Sequence, residues 1–365
     1  MGGIETHLEV LAGELCKKVD LQLVVASDNR NDVRETVEGV SVSRVATWFT
    51  AASAPICPGM IREFRRSDAD IVHLHFPNPT AVLAYLASGY TGRVVITYHS
   101  DTVRQKILGP LFAPYLQTAL RRSSAIITSS ADYQRTSEVL SRHLDRCHVI
   151  PYGIPLAQFE HADPAAVSEI RREYGERLVL SVGRLVYYKG FEYLIRAMTR
   201  VSGTLLIVGQ GPLRGKLEQL THELGIEPRV KFLGGVADVI PYYHAADLFT
   251  LASIARSEAF GIVQIEAMAA GLPVVNTKLD SGVPFVSLHD QTGFTVPPRD
   301  SVALGDAIGR LLNDSELRRA FGHAARIRAQ QEFSLDTMVR RTMSLYEGVV
   351  AGTAFSANAS TRNRA

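Results

Sequence analysis

The strongest constraint on the fold is a pattern that runs, stops and starts again. Short apolar runs rich in β-branched residues lie at 21–26, 40–46, 71–75, 94–98, 125–128 and 148–151, with helical stretches between most of them, around 58–66, 79–88, 103–122 and 131–142. Strands that read as continuous apolar runs are buried on both faces, and their alternation with helices predicts a covered parallel sheet. Pro151-Tyr152-Gly153-Ile154-Pro155 then interrupts the pattern with two prolines and a glycine, a linker signal. The pattern resumes at 178–182, 205–208, 230–233, 248–251, 274–276 and 294–296, predicting a second open parallel sheet. The expected fold is α/β, with two doubly wound parallel-sheet domains facing each other across a cleft. Their bounds are 1–155 and 156–333, followed by a final helix at 334–350 and a small, polar, disordered tail at 351–365. Ligands of such sheets bind outside the carboxyl ends of the strands.

Composition narrows the classes. The 365 residues suffice for two domains at ~150 residues each. With 46% hydrophobic and 21% charged residues, the chain has ample core, and a formal charge of +2 gives no reason to expect a nucleic-acid partner. Cys16, Cys57 and Cys147 are odd in number and widely spaced, which argues against a disulfide framework or zinc site and fits a reducing cytosol. No window reaches the ~18 apolar residues of a spanning helix, and no signal peptide is visible. The expected location is cytoplasmic.

The most specific chemistry lies in Ser257-Glu258-Ala259-Phe260-Gly261-Ile262-Val263-Gln264-Ile265-Glu266, continuing through Ala267-Met268-Ala269-Ala270-Gly271-Leu272-Pro273. In one unbroken helix Glu266 would be turned by roughly 80° and lifted about 12 Å from Glu258, too far for one small ligand. With Glu258 in an approach loop and the helix starting near Gly261, both carboxylates converge. The amides of Phe260 and Gly261 then lie at the positive helix end, where a phosphate is stabilised. Gly271 and Pro273 close the helix before the next strand.

This stretch resembles the Glu-x7-Glu signature of retaining glycosyltransferases of the two-domain GT-B kind, family 4 (group 1). The wording Ser-Glu-Ala-Phe-Gly-x4-Glu-Ala-Met-Ala-x-Gly-x-Pro-Val is far more specific than two acids at a fixed distance. The resemblance extends from Gly2 to about Tyr346 and implies Rossmann-like domains, with the final helix crossing back to the first. It also implies a nucleotide diphosphate sugar as co-substrate, with no metal or other cofactor.

Further motifs fall into register with it. Ser181-Val182-Gly183-Arg184-Leu185-Val186-Tyr187-Tyr188-Lys189-Gly190 follows the first strand of the second domain. Glycines there let backbone approach a ligand, Arg184 offers a planar fork of donors and Lys189 a mobile point charge, a pair suited to a diphosphate. The resemblance implies that role, with Glu266 on the ribose, Glu258 by the donor hexose and His99 beside the sugar from the first domain. Val208-Gly209-Gln210-Gly211-Pro212 could pass for half a dinucleotide fingerprint, but Arg214 replaces the third glycine. In the family such a turn lines the nucleotide side. Donor-binding candidates are therefore Gly3, Gly183, Arg184, Lys189, Gly209, Gly211, Glu258, Phe260, Gly261, Ile262 and Glu266. The catalytic candidates are Glu258, His99, Arg184 and Lys189.

Other features carry less. Asp68-Ala69-Asp70 looks like a metal-binding Asp-x-Asp but reads as a solvated turn before the run at 71–75. His73 and His75 alternate on that run, and read as sheet packing or loop positioning rather than ligands. No metal-ligand spacing connects the histidines. Gly2-Gly3 leads into a helix face of Leu8, Leu11, Leu15 and Val19. In the family a Gly-Gly loop joins the first strand to this helix, so the first strand is expected to be missing here. The apolar stretch at 107–120 with Arg121 and Arg122 suits a membrane surface or a lipid-linked acceptor, and equally an ordinary solvated helix.

The segment 276–298 resembles bacterial O-antigen and exopolysaccharide mannosyl- or rhamnosyltransferases. The expected activity is transfer of a hexose, from a donor more in keeping with GDP than UDP, to a hydroxyl of a glycan or lipid-linked acceptor. The resemblance implies retention of anomeric configuration by front-face attack. Two alternatives stand beside it: a nucleotide-sugar 2-epimerase on the same fold, or a truncated, non-catalytic nucleotide-binding remnant.

Overall fold

A computed structural model describes residues 3–28, 30–51, 54–101 and 108–353. It divides into two compact units, one formed by 1–151 with 338–365 and the other by 152–337. The last helix, Leu335–Ala351, begins in the second unit and continues into the first. Of the tail, residues 354–365 lie outside the described residues.

Among the described residues, the first unit opens with the helix Gly3–Leu15 and carries nine strands: β1 Gln22–Ala26, β2 Val33–Val37, β3 Val40–Val45, β4 Phe49–Ala51, β5 Ala54–Ile56, β6 Ile71–Phe76, β7 Arg93–Tyr98, β8 Ala125–Thr128 and β9 Cys147–Val149. Strands β6-β7-β8-β9 form a parallel sheet in chain order. Its centre is covered on both faces: Val94, Val95, Ile96 and Ile126 are fully buried. Parallel pairing of β1 with β3 agrees with the sequence pattern, but it belongs to a separate three-stranded sheet, β1-β3-β2. There β2 pairs antiparallel with β3, a departure from the expected all-parallel domain. Glu38 and Gly39 both have positive φ (50° and 84°), the geometry of a two-residue hairpin turn, with Val37 opposite Val40. The helix expected at 131–142 is also shorter. It spans Ala131–Thr136, and Ser137 turns extended before a single 3-10 turn at Leu140–Arg142.

The second unit matches the sequence pattern strand for strand: β10 Leu178–Val182, β11 Thr204–Val208, β12 Val230–Gly234, β13 Leu248–Leu251, β14 Val274–Thr277 and β15 Gly293–Val296. They form one parallel sheet in the order β12-β11-β10-β13-β14-β15. Alternate residues feed two cores. Leu178, Leu180, Leu206, Val208, Phe249 and Leu251 join one cluster, while Val179, Leu205, Ile207 and Leu248 join the other. Each fully buried aliphatic side chain contributes roughly 1.5–3 kcal/mol, so both faces hold the sheet firmly. Strand order reverses between β10 and β13: the chain moves outward to β11 and β12 on one side and to β14 and β15 on the other. Helices leave the two central strands in opposite directions there, opening a crevice at their carboxyl ends.

Candidate active site

The motif residues of the second unit gather at that switch point. After β10 the chain makes a loop through Gly183 and Arg184, a 3-10 turn Tyr187–Lys189, and the helix Phe191–Ala197. This loop is tied to the one after β11: the Gly183 amide donates to Val208 O (2.9 Å) and the Leu185 amide to Gln210 O (2.9 Å). A Cβ on Gly209 would stand 2.0 Å from Gly183 O, so only glycine lets the two backbones approach this closely. Gly211 lies against Leu185 on the same turn. The loop after β13 joins them through the Ile254 amide, which donates to Tyr188 O at 2.8 Å.

Two long side chains meet across these loops. Lys189 Nζ lies 2.6 Å from Glu258 Oε2, with both side chains about nine-tenths buried (11% and 10% exposed). Ser253 Oγ donates to the same oxygen at 3.0 Å. In this state the lysine is neutralised by the glutamate rather than open to an anion. Arg184 is exposed and makes no ion pair with the described residues, so the switch point presents one paired and one unpaired cation.

Glu266 sits on the helix Ile262–Ala269, reached through Gly261. Glu258 stands in the approach loop, so the single-helix arrangement is excluded, and Lys189, paired with Glu258, also acts on Glu266 electrostatically. Gly261 adopts φ 78°, ψ 61°, where a Cβ would also meet Leu251 Cδ2 at 2.7 Å. The amides ahead of the first intrahelical bond are those of Gly261, Ile262 and Val263. Phe260 stands one residue outside this set. Its ring is buried, edge-on to Tyr152 (4.9 Å) and Phe333 (6.0 Å), and its carbonyl accepts from Gln264 Nε2 (3.2 Å). Phe260 thus anchors the loop. Asn276 Nδ2, donating to Gln264 Oε1 at 2.9 Å, holds the anchor to β14.

Tyr243 Oη donates to Glu266 Oε2 at 2.7 Å. Burial raises the Glu266 pKa above the ordinary carboxylate value, against the opposing pull of the tyrosine hydrogen bond and the Lys189 charge. Tyr243 is itself fully buried, and its phenol is pushed well up by burial and the neighbouring carboxylate. No motif pointed to Tyr243 or Ser253, which reach the glutamates from other elements.

In the first unit His99 follows β7, its amide donating to Phe76 O (2.9 Å), and it is 2% exposed. His75 Nδ1 lies 3.0 Å from His99 Nε2, with the rings stacked at 5.2 Å. His73 stacks on His75 at 4.4 Å and is hydrogen-bonded at both nitrogens, to Tyr346 Oη (2.6 Å) and Thr97 Oγ1 (2.7 Å). From the first helix His7 adds a ring 5.4 Å from that of His99. Burial lowers all four pKa values, to about 4 for His7, about 3 for His73 and His99, and well below the ordinary value for His75. The sequence reading took His75 as sheet packing or loop positioning and did not include His7; here both lie against His99. Gly3 opens the first helix rather than lying in a loop, and Gly2 lies outside the described residues. Asp68 and Asp70 are exposed and precede β6, at the end of the sheet away from His75 and His99.

Comparison with known proteins agrees with this fold. The profile of the family described as "Glycosyl transferases group 1" matches residues 166–328, and that of "Glycosyltransferase Family 4" matches 1–158. An O-antigen chain mannosyltransferase C from Escherichia coli is 32% identical over 302 residues, covering 82% of this chain and 81% of that protein. D-rhamnosyltransferase WbpZ from Pseudomonas aeruginosa is 29% identical, covering 92% of this chain and 89% of its own. In fold, Anabaena HepE, crystallised in complex with UDP, is similar with a TM-score of 0.80 at 22% identity, covering 95% of this chain and 96% of that one. Two Rossmann-like units with this switch-point site define a GT-B glycosyltransferase. The chain belongs to the group 1 glycosyltransferases of family 4. Among the described residues no helix is long and apolar enough to cross a membrane.

Proposed function

We propose that the protein transfers a hexose, mannose or a close relative, from a GDP-linked donor to a hydroxyl of a glycan or lipid-linked acceptor, with retention, in polysaccharide or lipopolysaccharide synthesis. The observation that carries this reading is the convergence of Arg184, the Lys189–Glu258 pair, Glu266 and a helix N-terminus at one switch point. A diphosphate arriving there meets the guanidinium fork of Arg184 and the amides of Gly261, Ile262 and Val263. Lys189 then exchanges Glu258 for phosphate, which frees the carboxylate to hold a sugar hydroxyl. As the glycosidic bond breaks, charge builds on the leaving phosphate oxygen, where preorganised cations and amides act most strongly. Glu266, with one oxygen fixed by Tyr243, offers the other to the ribose hydroxyls. These groups supply the required positive charge without a metal, so chelator should leave the rate unchanged.

The GDP assignment is supported by relatives described as GDP-mannose-dependent mannosyltransferases, one from Mycolicibacterium smegmatis at 30% identity over 95% of both chains. Cytoplasmic residence with peripheral membrane contact fits the helix Leu108–Arg122, which exposes Leu111 and Tyr115 and ends in two arginines. The test is a panel of GDP-, UDP-, ADP- and dTDP-sugars, read by thermal shift and donor hydrolysis, with Glu266→Ala and Arg184→Ala. A selective response to GDP-sugars that both variants lose is expected. A response to UDP-sugars alone would replace the donor assignment, and no response to any of them would overturn the reading. Anomeric configuration is read by NMR of the product, and epimerised donor in the absence of acceptor would indicate a 2-epimerase instead.

A further inference from the structure

Three histidines distant in sequence meet in the first unit: His7 from the first helix, His75 from β6 and His99 from the end of β7. One ring nitrogen from each lies within 4.8 Å of the others. We propose that His7, His75 and His99 form a binding site for one divalent transition-metal ion of the zinc class, with three imidazole ligands and an open fourth position.

The distances suit such an ion. Zinc–nitrogen bonds of about 2.0–2.1 Å in tetrahedral geometry place ligand nitrogens about 3.3 Å apart. His75 Nδ1 and His99 Nε2 are already 3.0 Å apart. The widest separation has to shorten by about 1.5 Å at most, which side-chain rotation supplies. His73, though stacked on His75, is excluded as a ligand because both its nitrogens are engaged, by Tyr346 and Thr97. It acts instead as a platform that limits rotation of His75.

The chemistry selects the class of ion. Neutral imidazole is the ligating form, and a bound ion would hold each ring in it. Three nitrogens with no carboxylate suit zinc, cobalt, nickel or copper and do not suit magnesium or calcium, which take oxygen ligands. His7 and His99 are buried while His75 is partly exposed, so the ion approaches on the His75 side. With neutral ligands only, the fourth position would take an anion or hydroxide to limit the buried charge. Ion binding rests on the geometry of this unit alone and holds whether or not the chain uses a GDP-sugar.

The test uses tag-free, chelator-treated protein titrated with Zn²⁺ alone by calorimetry, and with Co²⁺ alone by visible absorption. One ion per chain is expected. His7→Gln and His75→Gln should each weaken it by more than the ~10–100-fold typical of an outer-shell change. His222→Gln, an exposed histidine paired with Glu227, should leave it unchanged. Absence of a one-per-chain site, or wild-type affinity in both cluster variants, would overturn the proposal. Should either variant not fold, X-ray absorption on the zinc-loaded wild type decides: three imidazoles in the first shell support the site, and fewer refute it.

Discussion

Breaking the Lys189–Glu258 pair tests the apo state of the site directly. Each charge is about nine-tenths buried and they stand 2.6 Å apart, so removing one leaves the other desolvated and uncompensated. Such a loss costs about 3–5 kcal/mol in a buried setting. For Lys189→Met the low end applies, about 3 kcal/mol, because Ser253 still donates to Glu258 and the carboxylate keeps slight contact with water. In a unit of this size that corresponds to a fall in Tm of roughly 6–12 °C. Glu258→Gln should also destabilise, by stranding the ammonium, whereas Lys189→Met/Glu258→Gln should recover most of the loss. The assay is urea denaturation of the four proteins as a double-mutant cycle, with and without GDP. A coupling energy of about 2 kcal/mol or more is expected, shrinking when GDP draws Lys189 away. Single variants within about 0.5 kcal/mol of wild type, or additive losses, would refute the argument that the lysine is stored on the glutamate.

Three further outcomes follow from the same geometry. Burial raises the Glu266 pKa, so the folded state holds that proton more tightly than the unfolded chain. The contribution is fully stabilising below the ordinary value of 4.5 and is lost as pH rises through the folded value. Glu266→Gln should therefore flatten the fall in stability above pH 4.5 and leave the apo protein at least as stable at pH 7, while nucleotide-sugar affinity drops. Urea midpoints across pH, paired with binding titrations, check both halves. Gly261→Ala forces a left-handed φ on alanine and a clash with Leu251, a cost of about 1–3 kcal/mol, visible as a lowered Tm and weakened donor binding. Arg184→Ala removes an exposed side chain and should leave Tm unchanged. Its loss of charge-assisted hydrogen bonds, about 1.5–3 kcal/mol, should weaken donor binding roughly 10- to 150-fold by calorimetry.

What could be read from the sequence divides along a physical line. Strands β10 to β15 were legible because a parallel strand covered on both faces is a continuous apolar run, and its position hardly depends on distant partners. Strand β2 was not, because it is exposed along its whole length and carries Arg34 and Glu35, so it has no apolar signature. Only Glu38-Gly39, a variant of the Asp-Gly hairpin signal, hinted at it. In the site, Gly261 and the break between Glu258 and Glu266 were legible because backbone strain and helix geometry are local. The pairing of Lys189 with Glu258, the hydrogen bond from Tyr243 and the convergence of His7, His75 and His99 were not. Each joins residues from separate elements, and spacing along the chain does not encode which strand ends become neighbours. Under the proposed reading, the sequence motifs describe a ligand-bound task for each residue, while the structure adds the ligand-free partner it must leave. For Lys189 the two differ. On that reading the strength of its bond to Glu258 enters donor affinity, so Glu258→Gln, which weakens the bond without removing the lysine, changes affinity through both states.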